Sequence, residues 1–386
     1  MLPMRSGNQT RLKILQISSS LKKEMGGPPE VVLNSNNYLH SKGYETTLVV
    51  FGQSKVSRPN LTEYSIFGVE NRIILFGGRD SIYGKLPNFR ELRKIRTLIL
   101  RADIVILHQI YNFQNIAASW LCRRYEKKYL IMPHGTLTTY QALKHRKRKF
   151  FANAIFGKIV ENAAAVLVAT DIEKFQVQSK FKSRVDNVGI GLQIDGRSKM
   201  KEKKRMGRNF LFLGRIAKKK RVDITIKAFA LFLADFPDAE LTIAGDGDYK
   251  LISSLKNLVS SLAISSSVKF VSWVSGEEKL KLYEKTDFFV LNSEDENFAI
   301  AVAEAQSHGI PVLISKFVAF SEIITNFNSG VIVESLDIET VLAGMRFIND
   351  ADYAVLSRNS IQSANSVNWA SVIERWVTVI QEIAST

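Results

Sequence analysis

The sequence predicts an α/β protein of two domains. Its 386 residues exceed what a single hydrophobic core usually supports. From residue 13 onward, short apolar runs alternate with longer segments of helical periodicity, which is typical of βαβ units. The alternation starts again at residue 209, after a polar, glycine-flanked stretch. We therefore predict an N-terminal domain over residues 1–195, a linker over 196–209, a second domain over 210–368 and a closing helix over 369–386.

The N-terminal domain begins with a βαβ unit. The run Lys13–Ser18 predicts a buried strand, residues 31–39 have helical periodicity, and Thr46–Val50 predicts a second strand. Gly26 and Gly27 lie in the first loop, before two prolines that suit the first helical turn. A glycine loop at this place can approach a phosphate. Two adjacent glycines without the G-x-G-x-x-G spacing are also typical of a plain turn.

A further strand is predicted over 166–170, and two strands before it lead to histidines. The strand predicted over 103–108 ends at His108, and the one over 129–132 runs into Pro133-His134-Gly135. Ligands of open α/β sheets bind beyond the carboxyl ends of the strands, so both histidines are candidates for a site. His134 is the stronger candidate because proline restricts the backbone before it and glycine frees the backbone after it. A purely structural role stays open for both.

The formal net charge of +16 is the main compositional anomaly. Such a field attracts nucleic acid, anionic lipid or phosphorylated substrates. Residues 85–101 predict an amphipathic helix with several arginines, and five of the six residues in 144–149 are Lys or Arg. A basic amphipathic helix is typical of an anionic membrane surface. A solvated surface helix is the alternative for both segments.

Other features of the composition exclude several classes of protein. The single cysteine, Cys122, excludes an internal disulfide and is typical of a reducing cytoplasm. No His/Cys spacing suits zinc, and Gly245-Asp246-Gly247-Asp248 is more typical of a turn than of a metal site. No apolar run approaches about 18 residues, so we expect no transmembrane helix. The N-terminus lacks an apolar signal core, so we expect no secretion.

The second domain repeats the alternation and contains a basic loop. Its predicted strands are 209–213, 240–244, 268–273, 287–291, 311–315 and 330–333. Arg215 follows the first of these strands, and Lys220 comes just before an apolar helix over 222–236. Fixed donors and the helix dipole both favour a diphosphate there. Nucleic acid is the competing partner for this loop, but interleaved aromatic residues are lacking.

The stretch Ser293–Ser315 predicts a helix of small residues followed by a strand. Glu296 and Glu304 are eight residues apart, which in a helix is ~12 Å of rise and ~80° of rotation. Four small or apolar residues follow the first of them: Asn297, Phe298, Ala299 and Ile300. Free N–H groups at a helix N-terminus favour anions. Two carboxylates with amides between them suit a nucleotide sugar, and a capped core helix is the alternative.

These motifs together resemble the retaining, nucleotide-sugar-dependent glycosyltransferases of family 4. The resemblance extends over nearly the whole chain from Lys13 onward. Its most specific parts are G-R-I-A-K-K-K-R-V-D at 214–223 and the E-x₇-E stretch from Glu296, which is followed by A-Q-S-H-G-I-P-V. P-H-G-T-L at 133–137 is similar to transferases that build bacterial exopolysaccharides and lipopolysaccharide. The resemblance implies the GT-B fold, with two Rossmann-like, doubly wound parallel-sheet domains facing across a cleft.

The resemblance implies a role for each candidate residue of the second domain. Arg215 and Lys220 match the pair that binds the donor diphosphate. Glu296 matches the glutamate that reaches the donor sugar, with residues 297–300 lining its pocket, and Glu304 matches the glutamate that holds the ribose. The chain departs from the family at Arg221 and Ala299, where glycine is common, and P-N-G-V-D is replaced by Gly189-Ile190-Gly191-Leu192-Gln193.

The resemblance also implies roles for residues of the N-terminal domain. Gly26 and Gly27 match the glycine loop that faces the same phosphates, and His134 resembles the histidine near the anomeric carbon. The closing helix over 369–386 is implied to return to this domain.

The implied reaction is the transfer of a hexosyl-type sugar from a nucleoside-diphosphate sugar to a glycan or lipid-linked acceptor, with retention, in cell-surface polysaccharide synthesis. We expect no cofactor and no metal, because protein cations take the role of the metal. We expect a cytoplasmic protein, peripheral on an anionic membrane surface, with no nucleic-acid partner. A nucleotide-sugar epimerase or glycan synthase of the same fold is the alternative, as is a catalytically weak subunit that binds the nucleotide sugar.

Overall fold

The computed structural model describes residues 11–21, 27–51, 72–76, 89–138, 156–193 and 205–386. The chain forms two compact units. The first unit combines the chain up to Gly189 with the C-terminal segment Val372–Thr386, and the second unit is Ile190–Ser371. Gly26, the basic run 144–149 and residues 196–204 of the predicted linker lie outside the described residues. The predicted boundary at residue 195 therefore stays a prediction.

The first unit is built on a seven-stranded sheet in which every adjacent pair of strands is parallel. Its order is β3-β2-β1-β4-β5-β6-β7. The strands are β1 Lys13–Ser18, β2 Glu45–Val50, β3 Arg72–Leu75, β4 Ile104–His108, β5 Lys128–Met132, β6 Ala165–Val168 and β7 Val185–Asn187. The helices used below are α1 Pro28–Ser41, α2 Phe89–Arg101, α3 Phe113–Arg124 and α4 Asp171–Gln178.

Helices cover both faces of this sheet. Alternate residues of β2 point to opposite faces, so Leu48 joins a cluster with Val32 of α1, while Val49 packs with Ile95 of α2 and Leu121 of α3. Because both faces are covered, the central strand β4 is buried along its whole length. This burial explains why such strands read as continuous apolar runs.

The second unit has a six-stranded parallel sheet of order β10-β9-β8-β11-β12-β13. Its strands are β8 Asn209–Leu213, β9 Glu240–Ala244, β10 Val268–Val271, β11 Phe288–Leu291, β12 Val312–Ser315 and β13 Gly330–Val333. Its helices are α5 Val222–Asp235, α6 Tyr249–Ser261, α7 Gly276–Lys285, α8 Ile300–Ser307, α9 Ser321–Phe327, α10 Ile338–Asp350 and α11 Tyr353–Ser366, with a 3₁₀ turn at Lys218–Lys220.

The two sheets share one topology. When strands are counted within each unit, the first six follow the order 3-2-1-4-5-6 of a doubly wound Rossmann fold. In such a sheet the strand order reverses between the first and fourth strands, and ligands bind at that reversal, beyond the carboxyl ends of the strands. The relevant strand pairs are β1 with β4 and β8 with β11.

The last helix, α12 Trp369–Ser385, begins in the second unit and belongs to the first unit from Val372 onward. Its two tryptophans are fully buried. Within the second unit, Trp369 packs so closely on Gly191 that a Cβ there would lie 2.4 Å from the indole ring. Within the first unit, the Trp376 indole N–H donates to the Gly189 carbonyl oxygen at 3.4 Å. No helix in the described ranges is long and apolar enough to cross a membrane.

Candidate active site

The basic loop of the second unit starts where two strand ends meet. Gly214 has φ 150° and Gly245 has φ 137°, and a Cβ on Gly245 would lie 2.1 Å from the Gly214 carbonyl oxygen. The Gly214 N–H donates to the Ala244 carbonyl oxygen at 3.0 Å. Both positions therefore need glycine, and their close approach starts the basic loop at the carboxyl edge of the sheet.

Two lysines of the 3₁₀ turn meet one carboxylate. The Lys220 ammonium lies 2.8 Å from Glu296 Oε1, and the Lys219 ammonium lies 3.1 Å from the same oxygen. The Ser293 hydroxyl is 3.3 Å from this oxygen as well. Lys219 also donates to the Asp295 carbonyl oxygen at 2.7 Å. The loops after β8 and β11 are thus joined by charge-assisted hydrogen bonds.

Burial gives this ion pair its electrostatic character. The Lys220 and Glu296 side chains are only 13% and 15% exposed. Burial acts to raise the pKa of Glu296, but Lys220 and then Lys219 outweigh it, so the pKa is lowered and the carboxylate is ionised at neutral pH. Burial lowers the pKa of Lys220, and the nearby Lys219 and Arg215 add to this effect while Glu296 opposes it. Another anion beside Lys220 would relieve this unfavourable environment.

Glu304 is held by a different pair of residues. Its Oε1 accepts from the Lys279 ammonium at 2.6 Å, and its Oε2 accepts from the Tyr283 hydroxyl at 2.8 Å. Lys279 and Tyr283 are four residues apart on α7, so they lie on one face of that helix. Tyr283 is buried and packs its ring against His308, with centroids 4.7 Å apart. Both oxygens of Glu304 therefore have fixed directions.

The helical geometry considered for the two glutamates does not apply. Helix α8 begins at Ile300, so Glu304 is helical and Glu296 is not. Glu296 lies in an extended loop, where its N–H donates to the Phe317 carbonyl oxygen at 3.1 Å and its own carbonyl oxygen accepts from the Ala319 N–H at 2.9 Å. The helix cannot extend back to Glu296 because Ala299 has a left-handed backbone, with φ 61°.

The residues between the glutamates form the start of α8. Phe298 is buried against Phe320, edge to face, with centroids 5.3 Å apart. Asn297 has a buried side-chain oxygen that no described residue contacts by hydrogen bond. No side chain caps the helix at Ala299. The Val302 N–H already donates to the Ala299 carbonyl oxygen at 2.8 Å, so the N–H groups of Ile300 and Ala301, which precede it in the first turn, are the ones that suit an anion.

The first unit joins both candidate histidines. His134 Nε2 lies 3.0 Å from His108 Nδ1, and His108 Nε2 lies 2.6 Å from Gln16 Oε1. Burial, and then the neighbouring His134, lowers the pKa of His108 well below its usual range. Burial lowers the pKa of His134 to about 3. Both rings are therefore neutral at physiological pH.

The backbone around these histidines is firmly anchored. His134 has φ 52°, and the following Gly135 N–H donates to Glu173 Oε1 at 2.8 Å. The other oxygen of Glu173 accepts from the Ala169 N–H at 2.9 Å.

Gly27, at the start of α1, has an ordinary right-handed φ of −64°, and its carbonyl oxygen accepts from the Glu30 N–H at 3.1 Å. No strained backbone explains a glycine at position 27.

Comparison with protein families decides the class of this enzyme. Residues 25–195 match the Glycosyltransferase Family 4 model, and residues 196–362 match the Glycosyl transferases group 1 model. The chain belongs to glycosyltransferase family 4. Its two doubly wound units are the GT-B fold.

Two sequence relatives of this glycosyltransferase align over almost its full length. An uncharacterised glycosyltransferase of Haemophilus influenzae is 25% identical over 369 residues, which are 92% of this chain and 96% of the relative. The GDP-mannose:cellobiosyl-diphosphopolyprenol alpha-mannosyltransferase of Xanthomonas oryzae pv. oryzae is 25% identical over 379 residues, or 95% of this chain and 96% of the relative.

Solved structures agree on the fold. The Anabaena protein Alr3699/HepE, determined with UDP and glucose, superposes with a TM-score of 0.75 at 13% identity, covering 96% of this glycosyltransferase and all of the Anabaena chain. The sucrose-phosphate synthase of Thermosynechococcus elongatus superposes with a TM-score of 0.74 at 16% identity, covering 97% of this chain and all of that one.

The two residues that depart from the family pattern share one backbone conformation. Arg221 is the N-cap of α5 with φ 45°, and Ala299 is the N-cap of α8 with φ 61°. Both helices of the site thus begin from a left-handed residue, a conformation that favours glycine. This glycosyltransferase keeps the conformation without the glycine. At Arg221 the guanidinium compensates through contacts of 3.2 Å with Asp223 and with Glu294.

Several residues of the site were not anticipated from the sequence. They are Gln16, Lys279, Tyr283 and Ser293. The i, i+4 spacing of Lys279 and Tyr283 was a usable signal for a shared helix face, but nothing local indicated that this face meets Glu304. In the described part of the chain, no group of three His, Cys, Asp or Glu side chains is arranged to hold a metal ion.

Proposed function

We propose that this glycosyltransferase moves a hexosyl-type sugar from a nucleoside-diphosphate sugar to a glycan or lipid-linked acceptor, with retention of anomeric configuration. The observation that carries this proposal is the buried contact of 2.8 Å between Lys220 and Glu296. It lies beyond the adjacent strands β8 and β11, where a doubly wound sheet binds its ligand. A cation for phosphate and a carboxylate for hydroxyls are the two groups that a nucleotide sugar requires.

The donor diphosphate is assigned to Lys220, Arg215 and the start of α8. Arg215 is exposed, and we assign its guanidinium to a phosphate oxygen. As the sugar leaves, negative charge grows on the diphosphate, and fixed cations stabilise that charge more than they stabilise the bound substrate. This arrangement needs no metal. The Anabaena structures, which contain UDP-glucose or UDP, support a nucleotide sugar as the donor class.

Retention is proposed to occur by departure and attack on the same face of the sugar. No protein nucleophile is then required. The resemblance assigns His134 to the region of the anomeric carbon, and a neutral imidazole there exchanges hydrogen bonds with sugar hydroxyls without adding a charge. Glu296 is assigned to the donor sugar and Glu304 to the ribose.

The decisive experiment is product analysis with a panel of labelled nucleoside-diphosphate sugars and an acceptor extract. Transfer of label to the acceptor with unchanged anomeric configuration supports the proposal. Epimerised nucleotide sugar, or a polymer of the donor sugar alone, would indicate the epimerase or synthase alternative. Nucleotide binding without any turnover would indicate a binding subunit.

We also propose that the enzyme works in the cytoplasm on an anionic membrane surface that carries its acceptor. Helices α2 and α3 border an open groove of about 750 Å³. Its aromatic side chains are unusually exposed: Phe89 at 80%, Trp120 at 63% and Phe113 at 40%. Arg93 and Arg96 line the same groove. Aromatic groups that enter the interface and arginines that meet lipid phosphates are the combination that anionic bilayers attract.

This surface supports a role in cell-surface polysaccharide synthesis, because lipid-linked acceptors are found at membranes. The Xanthomonas relative acts, by its name, on a diphosphopolyprenol-linked sugar.

Flotation with anionic liposomes tests the membrane proposal. We expect binding at low salt that weakens at high salt, and weaker binding when Phe89 and Trp120 are both changed to serine. Phe175→Ser is the matched control, because Phe175 is 75% exposed on α4 of the same unit. No flotation at low salt, or an equal loss with the control, would refute this attachment surface.

A further inference from the structure

A buried chain of polar side chains leads from His134 through the first unit. His134 contacts His108, His108 contacts Gln16, and Gln16 contacts two residues of α1. Gln16 lies in β1 and His108 ends β4, and these strands are adjacent in the sheet. Gln16, His108, Ser35 and Asn36 are all fully buried. Such a network is stable only when each donor faces an acceptor.

The amide of Gln16 sets the direction of this network. Its Oε1 faces His108 Nε2 at 2.6 Å and lies 3.1 Å from the Ser35 hydroxyl, whose single hydrogen is shared between this oxygen and the Val32 carbonyl oxygen, also 3.1 Å away. Its amide nitrogen faces Asn36 Oδ1 at 3.4 Å. An amide oxygen has no hydrogen atom to give, so the proton of His108 is assigned to Nε2.

The assignment passes from His108 to His134. A neutral imidazole carries one proton, so a proton on His108 Nε2 leaves His108 Nδ1 as an acceptor. His134 Nε2, 3.0 Å away, must then donate. The two ring planes are inclined by only 25°, as suits an N–H of one ring pointing at the in-plane lone pair of the other. His134 Nδ1 is consequently a bare acceptor.

The free end of the network is this nitrogen atom. His134 Nδ1 is buried and makes no hydrogen bond with the described residues, although the residue itself is partly exposed. A buried polar atom without a partner is costly. The backbone of His134 has a left-handed conformation, which is uncommon for a residue with a Cβ. Unsatisfied atoms and strained backbone of this kind cluster at functional sites.

We propose that Gln16 and His108 are positioning residues that fix His134 in a single neutral tautomer, with Nε2 protonated and Nδ1 left unprotonated. The kinetic part of this inference rests on the proposed function, whereas the tautomer does not depend on it. A ligand group that approaches Nδ1 must bring a hydrogen atom, so this edge of the ring selects hydroxyls over carbonyl or phosphate oxygens.

Nitrogen-15 NMR of the full-length protein tests the tautomer directly. We expect the His134 resonances to show a protonated Nε2 and an unprotonated Nδ1, with a single species present. Single substitutions of the other histidines, beginning with His40→Gln, provide the assignments. A protonated Nδ1 in the unmodified protein would overturn the proposal, whatever the enzyme transfers.

Two substitutions at His108 test the positioning role. Glutamine can offer an oxygen to His134 and an N–H to Gln16, whereas phenylalanine fills the space and can do neither. We expect His108→Phe to give mixed His134 tautomers and to lower kcat by about 10–100-fold, by analogy with other orienting partners of a functional histidine, with little change in KM. His108→Gln should keep one tautomer and most of the activity.

Equal losses in the two variants, with matching thermal unfolding curves, would show that His108 only fills space and would overturn the positioning role. Absence of sugar transfer by the unmodified enzyme would instead contradict the proposed function. The NMR result would still decide the tautomer, so the two failures are distinguishable.

Discussion

Replacing Ala299 by glycine is expected to stabilise the second unit. Ala299 has φ 61° and ψ 68°, where a residue with a Cβ costs about 1–2 kcal/mol relative to the right-handed region. Glycine avoids this cost but loses about 0.5–1 kcal/mol more backbone entropy on folding. The balance is a gain of about 0.5–1 kcal/mol in the free energy of unfolding.

Thermal unfolding followed by calorimetry measures this gain. For a unit of this size, 1 kcal/mol raises Tm by about 2–4 °C, so we expect a shift of about 1–4 °C in the transition of the second unit. The matched control is Ala301→Gly, which makes the same chemical change two residues later, inside α8. There the backbone is helical, and glycine should destabilise by about 1 kcal/mol.

Opposite signs for these two variants would confirm that the left-handed backbone, and not the loss of a methyl group, determines the effect. A fall in Tm for Ala299→Gly similar to that of Ala301→Gly would refute the reasoning. It would mean that the Ala299 methyl group contributes packing larger than the strain of its backbone.

Three further predictions follow from the site. Lys220→Ala should lower kcat by about 10²–10³-fold, as expected for losing one preorganised donor, while Lys250→Ala, at an exposed lysine of α6, should leave turnover unchanged; full turnover in Lys220→Ala would contradict the diphosphate role. Turnover should persist in EDTA, and its abolition with recovery on adding a divalent cation would show that protein cations do not suffice. His134 has a folded pKa of about 3 and an unfolded pKa of about 6.5, so above about pH 6.5 it is neutral in both states and has no effect, whereas between about pH 6.5 and 3 only the unfolded state binds the proton and the free energy of unfolding falls as the pH falls. Denaturant titrations should show a smaller decline over this window in His134→Gln, and an unchanged decline would contradict the lowered pKa.

The sequence predicted the inner strands well and missed the edges of the first sheet. Inner strands such as β4 are buried on both faces and read as apolar runs. The two unpredicted strands, β3 and β7, are the two edges. They are only four and three residues long, and Val185 is the one buried residue of β7. Short, partly polar edge strands are common because they discourage pairing with other chains, and this removes the apolar pattern that prediction requires.

Site residues could be predicted only where neighbouring residues in the sequence indicate their role. Lys220 and Glu296 stand out because each follows a strand in a motif of charged residues. Gln16 does not stand out, because it is a single polar residue inside an apolar strand. Its role depends on contact with His108, which is 92 positions away in the sequence. The same holds for Tyr283, which meets Glu304 across 21 residues. The helical geometry considered for both glutamates was wrong because the helix begins only after Ala299. An alanine in a sequence does not by itself indicate the positive φ that ends the helix there.

The charges around Glu296 indicate which cation is available to a donor. Lys219 already has two partners, the Glu296 carboxylate at 3.1 Å and the Asp295 carboxylate at 3.5 Å, and it also donates to a backbone oxygen. Lys220 has only Glu296 among the ion pairs of the described residues. In the proposed function, Glu296 turns toward a sugar hydroxyl without leaving Lys219 uncompensated, provided that a phosphate takes its place beside Lys220. Binding of the diphosphate and release of the glutamate would then be one coupled event, because a buried ammonium without a counterion is costly.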